Sequence, residues 1–166
     1  MFQYHNGRLY PDVTPRKLSF KIPDGYWIDT FPEGNSSNCI ALLAKDQSVK
    51  IEVSVEMSRW KSTEKEATDE FEGAPPIEIS GPNPICIGGF KGHSIYCFSN
   101  PSQYVVILDI SECNLRGAFN LEDRFNRMEI VVTANCGSED ESIVALKDAI
   151  HDCRFEELLE SISVKE

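Results

Sequence analysis

The chain has 166 residues, 41% of them apolar, and a formal net charge of -11, with a pI near 4.7. A chain of about this length buries roughly 70% of its unfolded surface, so one core can form without cross-links. The negative field disfavours a phosphate backbone or an anionic lipid surface as partner; it suits solubility and a basic protein partner.

Six cysteines, Cys39, Cys86, Cys97, Cys113, Cys136 and Cys153, fall at no motif spacing. The opening Met1-Phe2-Gln3-Tyr4-His5-Asn6-Gly7-Arg8 lacks the basic start and apolar run of an export signal. The longest apolar run, Tyr104 to Leu108, is strand-sized and far short of a membrane span. A cytoplasmic protein with reduced thiols is expected, with no membrane partner. A secreted disulfide scaffold and a zinc module are both disfavoured.

Asn6-Gly7 predicts a tight hairpin turn between Tyr4 and Tyr10. Leu18, Phe20 and Ile22 alternate with Lys17, Ser19 and Lys21, which predicts a half-buried strand closed by Pro23-Asp24-Gly25. Pro32 to Asn38 reads as a loop, and Cys39 to Ala44 as a short apolar strand. Val49, Ile51, Val53, Val55 and Met57 alternate with Lys50, Glu52, Ser54 and Glu56. One apolar and one charged face is the pattern of an antiparallel strand covered on one side. Thr63-Glu64-Lys65-Glu66 fits a capping box, opening a helix that ends by Gly73, before Pro75-Pro76. Ile77 and Ile79 suggest an edge strand closed by Gly81-Pro82. Gly88 to Gly92 joins two further strands. Tyr104 to Ile110 is apolar on both faces, so it is expected at the sheet centre with helices covering it. Met128 to Ala134 is a neighbouring strand. Ser138-Glu139-Asp140-Glu141 is a second capping box, its carboxylates at the positive end of the helix dipole. Ile143, Leu146, Ile150 and Cys153 predict one buried stripe, continued by Phe155, Leu158, Leu159 and Ile162.

Few residues offer chemistry. Cys39, Cys86, Cys97 and Cys153 fall where core residues are wanted. Cys136, just before the helix start at Ser138, is the thiol best placed for activation. Cys86, His93 and Cys97 lack a fourth donor and a zinc spacing, and Gly88 to Ser94 is a turn and not a phosphate loop. His93 remains a weak candidate base. Asp109, inside an apolar strand, needs a partner such as Arg116, Arg124 or Arg127. Tyr26, Trp27 and Trp60 sit beside strand ends and are candidate partner-binding aromatics. No catalytic, cofactor or metal site is assigned, and no cofactor is expected.

The element order, with the opening Phe20-Lys21-Ile22-Pro23-Asp24-Gly25-Tyr26-Trp27, resembles the PsbP-like superfamily. The similarity spans about Arg16 to Ile162, with the Asn6-Gly7 hairpin as an addition. It implies an α+β sandwich: a mostly antiparallel twisted sheet flanked by helices, with residues 1–15 as an N-terminal hairpin extension and 16–162 as the sandwich core of a single domain, 1–166. It also implies a non-enzymatic accessory or binding role; with the negative charge, the half-polar sheet and the absence of catalytic motifs, an adaptor, chaperone or immunity-type partner of a basic protein is expected. The alternatives are a small enzyme or redox-sensitive protein with a spatially assembled Cys, His and Asp site, or a small-ligand binder.

Overall fold

A computed structural model describes residues 2–29, 38–71 and 78–165. The expected loop 32–37, the end of the first helix at Gly73 and the start of the edge strand at Ile77 lie outside the described residues.

Strands β1 (Gln3–His5), β2 (Arg8–Tyr10), β3 (Val13–Thr14), β4 (Leu18–Ser19) and β5 (Tyr26–Ile28) lead into β6 (Cys39–Ala44) and β7 (Val49–Glu56). Helix α1 (Thr63–Glu70) follows, then β8 (Glu78–Ile87), β9 (Phe90–Phe98) and β10 (Ser102–Asp109). Next come β11 (Leu115–Gly117), β12 (Arg124–Phe125), β13 (Arg127–Ala134), α2 (Glu139–Ile150), α3 (Cys153–Ser161) and β14 (Ser163–Val164). The main sheet runs β5-β6-β7-β13-β10-β9-β8, and every neighbouring pair in it is antiparallel.

The side-chain period of two divides this sheet into two faces. On one, Val49, Ile51, Val53 and Val55 of β7, Met128, Ile130 and Val132 of β13, and Tyr104, Val106 and Leu108 of β10 join Leu146 and Ala149 of α2 and Phe155 and Leu158 of α3 in the larger core. On the other, Ile95, Val105 and Ile107 pack under Ala67 of α1, with Phe71 and Val131 at the margin. The expected central strand is therefore β10: Val105, Val106, Ile107 and Leu108 are each at most 1% exposed. Burying each such side chain is worth about 1.5–3 kcal/mol, so β10 anchors both layers. Gly92 makes the tightest crossing. A Cβ there would lie 1.8 Å from the Ile107 carbonyl oxygen of the neighbouring strand.

The N-terminal strands belong to the same interior. Asn6 and Gly7 both have positive φ in the β1–β2 turn, as expected. Phe2, Leu9, Val13, Leu18 and Phe20 join the larger core. Arg8 ties the two chain ends together, donating to the hydroxyl and carbonyl of Ser19, the carbonyl of Ser161 and the hydroxyl of Ser163. β14 pairs with β4, while β12, β11 and β3 form a separate three-stranded sheet.

Several local expectations are corrected. The strand at 17–22 shortens to Leu18–Ser19; Ser19 is fully buried, because Arg8 supplies the partner its hydroxyl needs. β8 does not stop at Gly81-Pro82 but runs through it, with a register shift between Ser80 and Asn83. Ser62, not Thr63, caps α1 by accepting from the Lys65 N–H. The last stripe is broken at His151: Asp152 caps a new helix, which leaves Cys153 exposed on its first turn. Cys86, on the edge strand β8, is also exposed. Ser138 caps α2 as expected, accepting from the Glu141 N–H at 3.2 Å.

Candidate functional site

A cavity of about 510 Å³ opens between β5, the β6–β7 turn and the helices α2 and α3. Its walls include Tyr26, Asp46, Asp148, Asp152 and Arg154. The sequence places them there by simple means. Tyr26 follows Gly25, whose φ is +80°; a Cβ on Gly25 would come within 2.6 Å of Arg154 Nη1. The bare backbone thus lets the guanidinium lie across the Tyr26 ring, 5.8 Å from its centroid. Asp152 holds that guanidinium in turn, accepting from Nε at 3.0 Å and from Nη2 at 2.7 Å. The same carboxylate caps α3 by accepting from the Arg154 N–H.

The electrostatics follow from these contacts. Hydrogen bonds from the Arg154 side chain and backbone hold the Asp152 carboxyl well below the usual carboxylate range. The Ser48 hydroxyl and N–H hold Asp46 low in the same way. Burial raises the Tyr26 phenol, opposed by the Arg154 charge. Asp152 and Arg154 largely neutralise each other, which leaves Asp46 and Asp148 against Lys45 in the rest of the lining, a balance of one negative charge. A second hollow of about 370 Å³ continues it along α2, lined by Asp140, Glu141, Val144, Ala145 and Asp148. Val144 is 58% exposed on its floor. The combined surface is an apolar strip rimmed by carboxylates.

A second constellation lies on the opposite face, beneath α1. Arg127, 2% exposed, donates through Nε to Glu66 Oε2 at 2.8 Å, through Nη1 to the Asn126 carbonyl and through Nη2 to the Trp60 carbonyl. Asp109 Oδ1 lies 3.5 Å from Nη1. Beside it, burial and the nearby carboxylates of Glu56 and Glu70 push Glu129 up to about 9. Burial, then Glu52, Glu56 and Glu129, push the Cys39 thiol up to about 11. Arg127 is fully partnered here, whereas Glu129 sits among like charges that favour its protonated form.

The residues singled out from sequence scatter among these places. Tyr26 lies in the cleft. Trp27, its neighbour in β5, points to the other face and is 41% exposed. Trp60 and Asp109 converge on Arg127. Asp109 lies at the end of β10 with its side chain 43% exposed. Burial, which would raise it, is outweighed by the Ser111 hydroxyl and N–H and by Arg127, so its carboxyl sits low. Of the three arginines considered as its partner, Arg127 fills the role. His93 Nδ1 is 2.7 Å from the Thr63 hydroxyl, and its Nε2 is 3.9 Å from Glu64. The Cys136 N–H donates to the Ser142 hydroxyl, which donates to Asn100; that chain locks the entry of α2. Cys136, His93 and Asp109 therefore sit in three separate settings. Among the described residues, no group of three or more His, Cys, Asp or Glu side chains could hold a metal ion. No described helix is long and apolar enough to cross a membrane. Sequence reasoning missed Arg154 and Asp148. The signal available was the run of acids on the exposed side of α2 around Val144.

Comparison with protein-family models, with curated proteins and with solved structures finds no match.

Proposed function

We propose that this chain is a non-enzymatic, protein-binding domain of PsbP-like architecture that takes a basic segment of a partner protein in the α2 cleft. The observation that carries the reading is the continuous surface from Asp46 to Asp140, in which Val144 and Ala145 floor a groove edged by Asp46, Asp148, Asp140 and Glu141, with Lys45 the one cation of its lining outside the Asp152–Arg154 pair. Apolar floors with charged rims are the usual anatomy of a protein-docking site. The side chains of lysine and arginine suit such a groove, because their stems bury on apolar surface while their heads meet carboxylates. The net charge of -11 adds long-range attraction for a basic partner. Six unpaired thiols, two of them exposed, support a reducing, cytoplasmic setting.

Titration with a lysine- and leucine-rich peptide at low and high salt tests the reading. Binding at low salt that weakens as salt rises is expected of a rim of exposed carboxylates. Absence of binding at either salt, or binding indifferent to salt, counts against it. The cleft volume also falls in the range of small-ligand sites; competition between the peptide and a small cationic ligand separates the two uses.

A further inference from the structure

The arginines of the fold are not all engaged alike. Arg8 donates to Ser19, Ser161 and Ser163 and so joins the two chain ends. Arg127 donates to Glu66, Asn126 and Trp60 and so fastens α1 to β13. The Arg154 guanidinium, among the described residues, donates only to Asp152, two positions away, and its hydrogen bonds join no two elements. The cap of α3 does not need it either. Asp152 Oδ1 accepts from the backbone N–H of residue 154 at 2.8 Å, which any residue but proline supplies. The Arg154 and Asp152 side chains are 43% and 28% exposed, and an ion pair at that exposure contributes little to stability.

What the guanidinium fills is a site with its own geometry. Asp152 presents two oxygens side by side, Oδ1 to Nε at 3.0 Å and Oδ2 to Nη2 at 2.7 Å. A planar guanidinium matches that fork and an ammonium does not. The Tyr26 ring lies 5.8 Å away, within reach of a cation–π contact. Gly25 leaves the room, since a Cβ there would lie 2.6 Å from Nη1. Tyr26, Asp152 and Arg154 all line the cavity of about 510 Å³, so the site opens into the cleft and not into the core. The bond from the α3 backbone to Oδ1 holds the carboxylate in place with or without the guanidinium.

We propose that Asp152 and Tyr26 form an arginine subsite of the cleft, filled by the chain's own Arg154 in the free protein and taken over by an arginine side chain of the partner on binding. The subsite rests on the reading of the cleft as a receptor for a basic segment, and narrows that segment to one carrying arginine. Arg154 is an internal competitor. The free protein offers the subsite only in the fraction of molecules whose Arg154 has swung into solvent, and apparent affinity is lowered by that fraction. One guanidinium replaces another, so Asp152 is not left without a counter-charge. The released Arg154 uncovers Asp152 beside Asp46 and Asp148, with Lys45 the remaining cation of the lining.

The test titrates the full chain with Nα-acetylarginine methylamide and with the corresponding lysine compound, followed by NMR at Tyr26 and at residues 152–154. The quantity read is the ratio of arginine to lysine affinity, in which the general attraction of the cleft for cations cancels. In the parent the ratio should be near one. In Arg154→Met it should rise roughly five- to tenfold, and Arg154→Gln serves as the second variant if Met disturbs the turn. Lys45→Met changes the charge of the lining by the same amount and should leave the ratio near one. Asp152→Asn added to Arg154→Met should return it to one with α3 intact, because asparagine caps a helix as well as aspartate does. The proposal is overturned if the ratio in both Arg154 variants is no larger than in the parent, if Lys45→Met raises it equally, or if the rise survives Asp152→Asn. The two failures are distinct: a parent that ignores the lysine- and leucine-rich peptide loses the basic segment, whereas an unchanged ratio loses the arginine subsite alone.

Discussion

Arg127 Nε lies 2.8 Å from Glu66 Oε2, with the two side chains 3% and 11% exposed. This pair fastens α1 to β13 across 61 residues of sequence. Breaking a buried ion pair from one side leaves an uncompensated charge. Arg127→Met should therefore cost about 3–5 kcal/mol, measured by urea unfolding. Adding Glu66→Met should recover part of that loss, because the orphan carboxylate is gone. If the double variant is no more stable than Arg127→Met alone, the pair is not coupled as the geometry requires.

Glu129 makes stability depend on pH. Its carboxyl is raised from 4.5 to about 9, first by burial and then by Glu56 and Glu70. Between those values the folded chain holds a proton that the unfolded chain has released. Stability therefore falls as pH rises from about 5 to about 9 and levels off above, at up to about 1.4 kcal/mol per pH unit for one proton. Glu129→Gln keeps the shape and removes the titration. It should be more stable than the parent at pH 8, with a flatter pH profile; unchanged profiles would show that Glu129 ionises normally.

The glycines of the two layers should differ in cost. Gly25→Ala should lose about 1 kcal/mol, because φ is +80° there while the crowding atom is the movable end of Arg154. Gly92→Ala meets the backbone of β10 itself, which cannot yield without parting the strands. Its loss should exceed about 4 kcal/mol, read as a lowered denaturation midpoint. Equal losses at the two sites would contradict the described β9–β10 crossing.

Five of the six thiols should fall into separate reactivity classes. Cys86 and Cys153 are exposed and Cys97 and Cys113 buried, while the Cys39 thiol is raised to about 11, mainly by burial. With a chromogenic disulfide near pH 8, Cys86 and Cys153 should label first. Cys97 and Cys113 should label only on unfolding, with Cys39 slow because little of it is thiolate. Uniform labelling across the set would contradict this arrangement.

What the sequence made legible follows the range of each interaction. The alternation from Val49 to Glu56 names a one-sided strand because its period is local. Ser138 and Glu141 name a helix start for the same reason. The doubly apolar run at Tyr104 to Leu108 marked an interior strand covered on both faces, next to the middle strand β13. The bridge from Glu66 to Arg127 was hidden, because strand parity places Arg127 and Glu129 on the face of Glu56 but does not say that α1 covers it. Cys153 was misplaced because Asp152 restarts the helix in a new direction, which a continued stripe conceals. The cleft depends on how α2 and α3 meet the β6–β7 turn, and only Tyr26 among its walls was marked in advance.

The central claim is that the α2 cleft receives a basic segment. Its most direct measurement is amide chemical-shift mapping of the full chain with a lysine- and leucine-rich peptide, for the parent and for Asp148→Lys. The account predicts that shifts cluster at residues 44–48 and 140–154 in the parent, and that affinity falls roughly tenfold in Asp148→Lys with the fold intact. Shifts spread over the whole acidic surface, or equal affinity in the two proteins, would contradict it.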